Sequence, residues 1–127
     1  MSIIEIIRRN KREKYVKKMA ILVLSNIAAI SSLTTGSAKL LGAESAIAIF
    51  DDIGFGQWFR YLTGLIEVSG AILVLMPLTA FWGALLLSLT MIGAILIHLF
   101  VLRGSPSFAM LLLAVTSTLM LLKPVKK

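Results

Sequence analysis

The chain reads as an all-α integral membrane protein, a four-helix bundle in which consecutive helices run antiparallel. Three observations point there. Hydrophobic residues make up 58% of the 127 residues and charged residues 15%, with a mean hydropathy of +0.95. That is more apolar surface than one soluble domain can hide. Four apolar segments can be drawn at or near bilayer length, and the basic residues gather at the chain ends. Seven of the thirteen lie in Arg8–Lys18, and Lys123, Lys126 and Lys127 close the sequence.

The elements follow in order within a single membrane domain. Residues 1–18 place Ile3, Ile4 and Ile7 on one helical face ahead of the basic run "RRNKREKYVKK". This fits a helix lying in the membrane interface or a solvated cytoplasmic tail. The first span is residues 19–41. Its basic flank and the small residues Gly36, Ser37 and Ala38 also fit a signal peptide, but an uncleaved anchor helix is expected. The next stretch, "GAESAIAIFDDIGFGQ", carries Glu44, Asp51 and Asp52 and no base. Residues 46–55 are apolar but too short to cross, so an interfacial or re-entrant half-helix is expected on the outer face. Further spans are drawn at 58–76, 80–102 and 107–122, with 123–127 as a basic tail. A helix needs roughly 20 residues to cross a core of about 30 Å, so the fourth span is short. The tight turns at Met76–Thr79 and Arg103–Pro106 force antiparallel neighbours.

Orientation follows from lysine and arginine. Both basic ends belong on the cytoplasmic side of a cell membrane, which an even number of spans permits. Flanking basic clusters mark topology and anionic lipid contact, so nucleic acid is not an expected partner. Ala28, Ser32 and Gly36, and likewise Ala80, Ala84 and Ser88, recur every fourth residue as packing seams. Trp58, Tyr61 and Trp82 suit an aromatic belt.

The polar residues inside the spans carry the functional question. Glu67 lies nine residues after Trp58, about 13 Å below the outer boundary by helix rise. His98, near the end of the third span, lies roughly 6 Å below the same boundary. Lys39, Arg60, Thr63 and the acidic pair Asp51 and Asp52 complete a set in the outer half. Thr63, Glu67 and Gly70 share a helix face by spacing, which predicts a polar funnel with Glu67 at its floor. A carboxylate facing lipid there would cost several kcal/mol. Glu67 therefore faces the interior as an acid, as a partner of Lys39, Arg60 or His98, or in contact with water or a ligand. It either handles protons or ligand or simply ties helices together. His98 is read as an interfacial hydrogen bonder, and Lys39 and Arg60 as snorkelling boundary residues.

Catalytic and metal motifs are missing. There is no cysteine, one histidine, no phosphate-binding loop and no paired-histidine spacing. Thiol redox chemistry, a thiolate metal site and a bis-histidine haem within one copy are excluded for this chain.

Several pieces, in order, resemble the DoxX-like family of small four-helix membrane proteins. They are "TTGSAKLLG", "RYLTGLIEVSGAILVLMP", the Pro77-x-Thr79 turn and "FWGALLLSLTMIGAILIHL", within residues 25–122. The resemblance implies an accessory or small subunit beside a redox partner. The family takes its name from the small subunit of a quinone-linked, sulfur-oxidising membrane complex, and some relatives look like assembly helpers. It also marks Lys39, Glu67 and His98 as recurring polar positions. The absence of cysteine departs from any sulfur-relay role. The leading expectation is thus a non-catalytic subunit of a membrane oxidoreductase, with a quinone as the implied cofactor in a pocket at Glu67. Other membrane subunits or further copies of the chain are its expected partners. A proton-coupled exporter working through Glu67 is the alternative. Small multidrug exporters resemble this chain in having four helices, but carry their glutamate in the first span, where this chain has none. A purely structural or assembly protein is the third reading.

Overall fold

A computed structural model describes residues 2–102 and 105–123. The described residues are almost entirely helical: α1 (Ile3–Leu41), α2 (Glu44–Ile53), α3 (Gln57–Leu75), α4 (Ala80–Ile97), a π-helical turn (His98–Leu102) and α5 (Ser107–Leu122). Among the described residues three helices are long and apolar enough to cross a membrane: α1, α3 and α4 with its π turn. The 16-residue α5 is apolar but shorter. These four helices close a ring in which α1 packs on α3 and α5, and α4 packs on α3 and α5. Arg103, Gly104 and the tail beyond Lys123 lie outside the described residues, and with them half of the expected Arg103–Pro106 turn and most of the basic tail.

Residues 3–18 are not a separate interfacial helix. They continue straight into the first span, making α1 39 residues and about 58 Å long. Ser2 starts it with a capping box: its hydroxyl accepts from the Glu5 amide, and the Glu5 carboxylate accepts from the Ser2 amide. The whole extension is exposed, and burial on α1 begins only at Ser25.

Close helix approach is built from residues without bulk. On α1, Ala28, Ser32 and Gly36 are buried, as are Ala80, Ala84 and Ser88 on α4, so both seams are used. At the α1–α3 crossing, a Cβ on Gly36 would stand 3.0 Å from the Gly64 carbonyl oxygen, and one on Gly64 the same distance from the Gly36 carbonyl. At the α3–α4 crossing, a Cβ on Gly83 would meet the Val74 amide nitrogen at 2.5 Å. In lipid such contact replaces water exclusion as the force joining helices. Ser88 donates to Thr116 at 2.7 Å, tying α4 to α5 inside a core of Leu87, Met91, Leu112 and Leu119.

The α3–α4 turn closes its own polar groups. The Met76 amide and the Thr79 hydroxyl both donate to the Leu73 carbonyl at the end of α3. Because Gly83 packs at Val74, Trp82 sits one belt away from Trp58, about 24 Å along α3. Trp58, Tyr61 and Trp82 are all exposed, at the two levels a bilayer boundary requires. The expected half-helix exists as α2. It buries Ala46 and Phe50, and Phe50 stacks edge-on against Phe59 of α3 at 5.8 Å.

Candidate functional site

The Gly36–Gly64 contact decides what Glu67 can reach. With no Cβ on Gly36, the Glu67 side chain lies along α1, where Thr35 and Lys39 stand one turn apart. Glu67 is 1% exposed. Its Oε2 accepts from the Thr35 hydroxyl at 2.6 Å, and its Oε1 is hydrogen-bonded and ion-paired to the Lys39 ammonium. Of the partners open to Glu67 in sequence, the structure selects Lys39. The Lys39 side chain keeps 23% exposure and also lies over the Phe50 ring of α2.

Arg60 overturns the expectation of a snorkelling residue, being 4% exposed. The reason lies at the end of α1. Gly42 adopts a left-handed conformation, φ 77°, and the amides of Gly42 and Ala43 both go to the Ala38 carbonyl. The Lys39 carbonyl is left over, and the Arg60 guanidinium donates to it. A cation at a helix C-terminus also meets the negative end of the helix dipole. Arg60 Nε donates to Gln57 at 2.6 Å, and Gln57 donates to Asp51 at 2.7 Å and to the Ile47 carbonyl at 3.2 Å. The chain of bonds therefore fastens α2 onto α1 and α3. Asp52 is exposed and takes no part in it.

Above the ion pair lies a cavity of about 440 Å³ between α1, α2, α3 and α4. Its walls are mostly apolar, among them Ala38, Phe50, Phe59, Ile66 and Ile97; its polar edges include Thr35, Lys39, Thr63, Glu67, Thr90 and His98. The space arises because α3 and α4 touch tightly at Gly70, Gly83 and Leu87 and then part. At Gly93, ten residues further along α4, an added Cβ would meet nothing within 4 Å. Leu62 of α3 and Leu89 of α4 line the cavity and are also 42% and 58% exposed. The cavity therefore opens sideways between these helices, onto the surface a bilayer would cover, while α2 closes its end.

The predicted residues sort as follows. Lys39, Glu67, Thr63 and His98 come together at the cavity. Arg60 and Asp51 sit behind its wall in the network that holds α2, and Asp52 lies apart. The expected shared face of Thr63, Glu67 and Gly70 holds only for the first two; Gly70 turns to Leu87 of α4. His98 opens the π-helical turn that ends the third span, and its Nδ1 lies 2.8 Å from the Ala94 carbonyl. A carbonyl only accepts, so Nδ1 carries the proton. Thr35, Gln57, Thr90 and Gly93 escaped the reading of the sequence as site residues. Thr35 had a signal, since it stands four residues before Lys39 and so shares its face.

The sequence model of the DoxX-like family matches residues 23–122. A protein of Bacillus subtilis (strain 168) named "Putative oxidoreductase CatD" is 35% identical over 75 residues, covering 59% of this chain and 56% of that relative. The matched stretch thus spans little more than half of the curated relative. No solved structure matches the chain.

Proposed function

The chain belongs to the DoxX-like family, and we propose that it is a non-catalytic accessory subunit of a membrane oxidoreductase complex, with its cavity serving as a quinone pocket. The observation that carries this reading is the cavity itself. It has the volume and mainly apolar lining of a small-molecule site with a few convergent polar groups. Its sideways opening suits a ligand dissolved in the bilayer. A quinone bound there would carry electrons and protons to or from the partner's redox centre. On this side the Lys39 ammonium is the donor available to a quinone oxygen, while Phe50 and Phe59 line the same cavity. Glu67 holds Lys39 in place and balances its charge. The name of the Bacillus subtilis relative fits a redox setting.

In this reading the basic extension of α1 lies on the cytoplasmic side of the cell membrane and α2 on the opposite side. Purification in mild detergent is the test. Recovery of a partner bearing a flavin, haem or copper supports the proposal. Recovery of the chain alone, with respiration unchanged on deletion, overturns it.

One observation favours a second reading, in which the Glu67–Lys39 pair only ties α1 to α3: both Glu67 oxygens already have partners within the bundle. Normal complex activity in a destabilised Glu67→Gln variant would support that reading. The exporter alternative loses ground on the same observation, because Lys39 already stands where a cationic substrate would have to bind.

A further inference from the structure

Hydrogen-bond polarity at the cavity follows from where each polar proton goes. The Thr63 hydroxyl donates to the carbonyls of Phe59 and Arg60, both at 3.1 Å, and the Thr90 hydroxyl to Leu86 at 2.8 Å. Thr35 spends its proton on Glu67. His98 spends its Nδ1 proton on Ala94, and in that Nδ1–H tautomer Nε2 is an acceptor. Glu67, as partner of an ammonium and a hydroxyl, accepts at both oxygens. Ser45 of α2 lines the cavity as an exposed hydroxyl, and among the described lining side chains Lys39 alone keeps N–H groups to give. The cavity therefore offers the Lys39 ammonium and the exposed Ser45 hydroxyl as donors and a larger set of acceptors: the Thr63 and Thr90 oxygens and His98 Nε2.

A quinone brings only acceptors to such a site. Its reduced form, a hydroquinone, brings two hydroxyl donors and still accepts at each oxygen. We propose that the cavity selects the hydroquinone form of a lipid-soluble, tailed ligand, with its hydroxyls donating to the threonine and histidine acceptors. This rests on the quinone-pocket reading and adds the redox form. An acceptor facing another acceptor in a buried site forfeits a hydrogen bond and keeps its desolvation cost, whereas a phenolic hydroxyl satisfies it.

The test uses the full chain in lipid nanodiscs with one quinone and its own hydroquinone, the latter kept reduced under anaerobic conditions. Binding is read by equilibrium partitioning of the radiolabelled pair against empty nanodiscs. The expected result is hydroquinone binding at least about tenfold tighter, the equivalent of one satisfied hydrogen bond. Thr90→Val, close in shape but without the acceptor, should narrow that ratio. Equal affinities, or tighter quinone binding, would overturn the selectivity while leaving the quinone pocket standing. Binding of neither form would overturn both. A ratio that survives Thr63→Val, Thr90→Val and His98→Phe, each shown to be folded by circular dichroism, would remove the stated cause.

Discussion

Breaking the Lys39–Glu67 pair should destabilise the bundle unequally from its two sides. Glu67 is 1% exposed, so Lys39→Met strands a carboxylate whose remaining partner is Thr35. Stranding a buried charge costs about 3–5 kcal/mol, and we expect the lower part of that range, about 3–4 kcal/mol. Glu67→Gln strands Lys39 instead, whose side chain is 23% exposed and can regain water; about 2 kcal/mol is expected. The double variant removes both charges and should cost less than the two changes summed, leaving a coupling of about 2–3 kcal/mol. For a chain of 127 residues, Lys39→Met should lower Tm by about 10–15 °C. Unfolding in mild detergent, followed by circular dichroism across all four proteins, measures the cycle. Additivity within about 0.5 kcal/mol would mean that the pair contributes nothing as a pair, and the reasoning would fail.

Other expectations concern neighbouring features. Gly83→Ala should destabilise by several kcal/mol, because the new methyl meets backbone at Val74 rather than a movable side chain; Gly93→Ala should change Tm by less than about 2 °C. Arg60→Met should loosen α2, by removing the bond to the Lys39 carbonyl and the link through Gln57 to Asp51. Hydrogen exchange would detect this as faster exchange confined to residues 44–53 and the end of α1. Thr116→Val should cost about 1 kcal/mol in the same unfolding assay, through loss of the Ser88 bond.

The apolar helices were legible because lipid imposes a length and a composition that a sequence displays directly. Small-residue spacing likewise exposed the seams, since helices in lipid need contact. The burial of Arg60 was not legible. It depends on Gly42 diverting two amides to Ala38 and so freeing the Lys39 carbonyl, a detail of cap geometry rather than of composition. The cavity was legible only as a set of polar depths. Its empty space comes from α3 and α4 parting beyond Gly83, which depends on crossing geometry that one helix face cannot report. The continuity of α1 escaped because a change from charged to apolar residues marks a change of solvent and need not mark a change of backbone.

The central claim, that the cavity is a ligand site, is most directly tested at Gly93. Gly93 lines the cavity with Thr63, Leu89 and Ile97, and the Cβ of a leucine there would meet nothing within 4 Å. Saturable binding of a radiolabelled quinone or its hydroquinone to nanodisc-embedded protein should be present in the natural chain and lost in Gly93→Leu, with Tm preserved. Equal binding by both proteins would contradict the account.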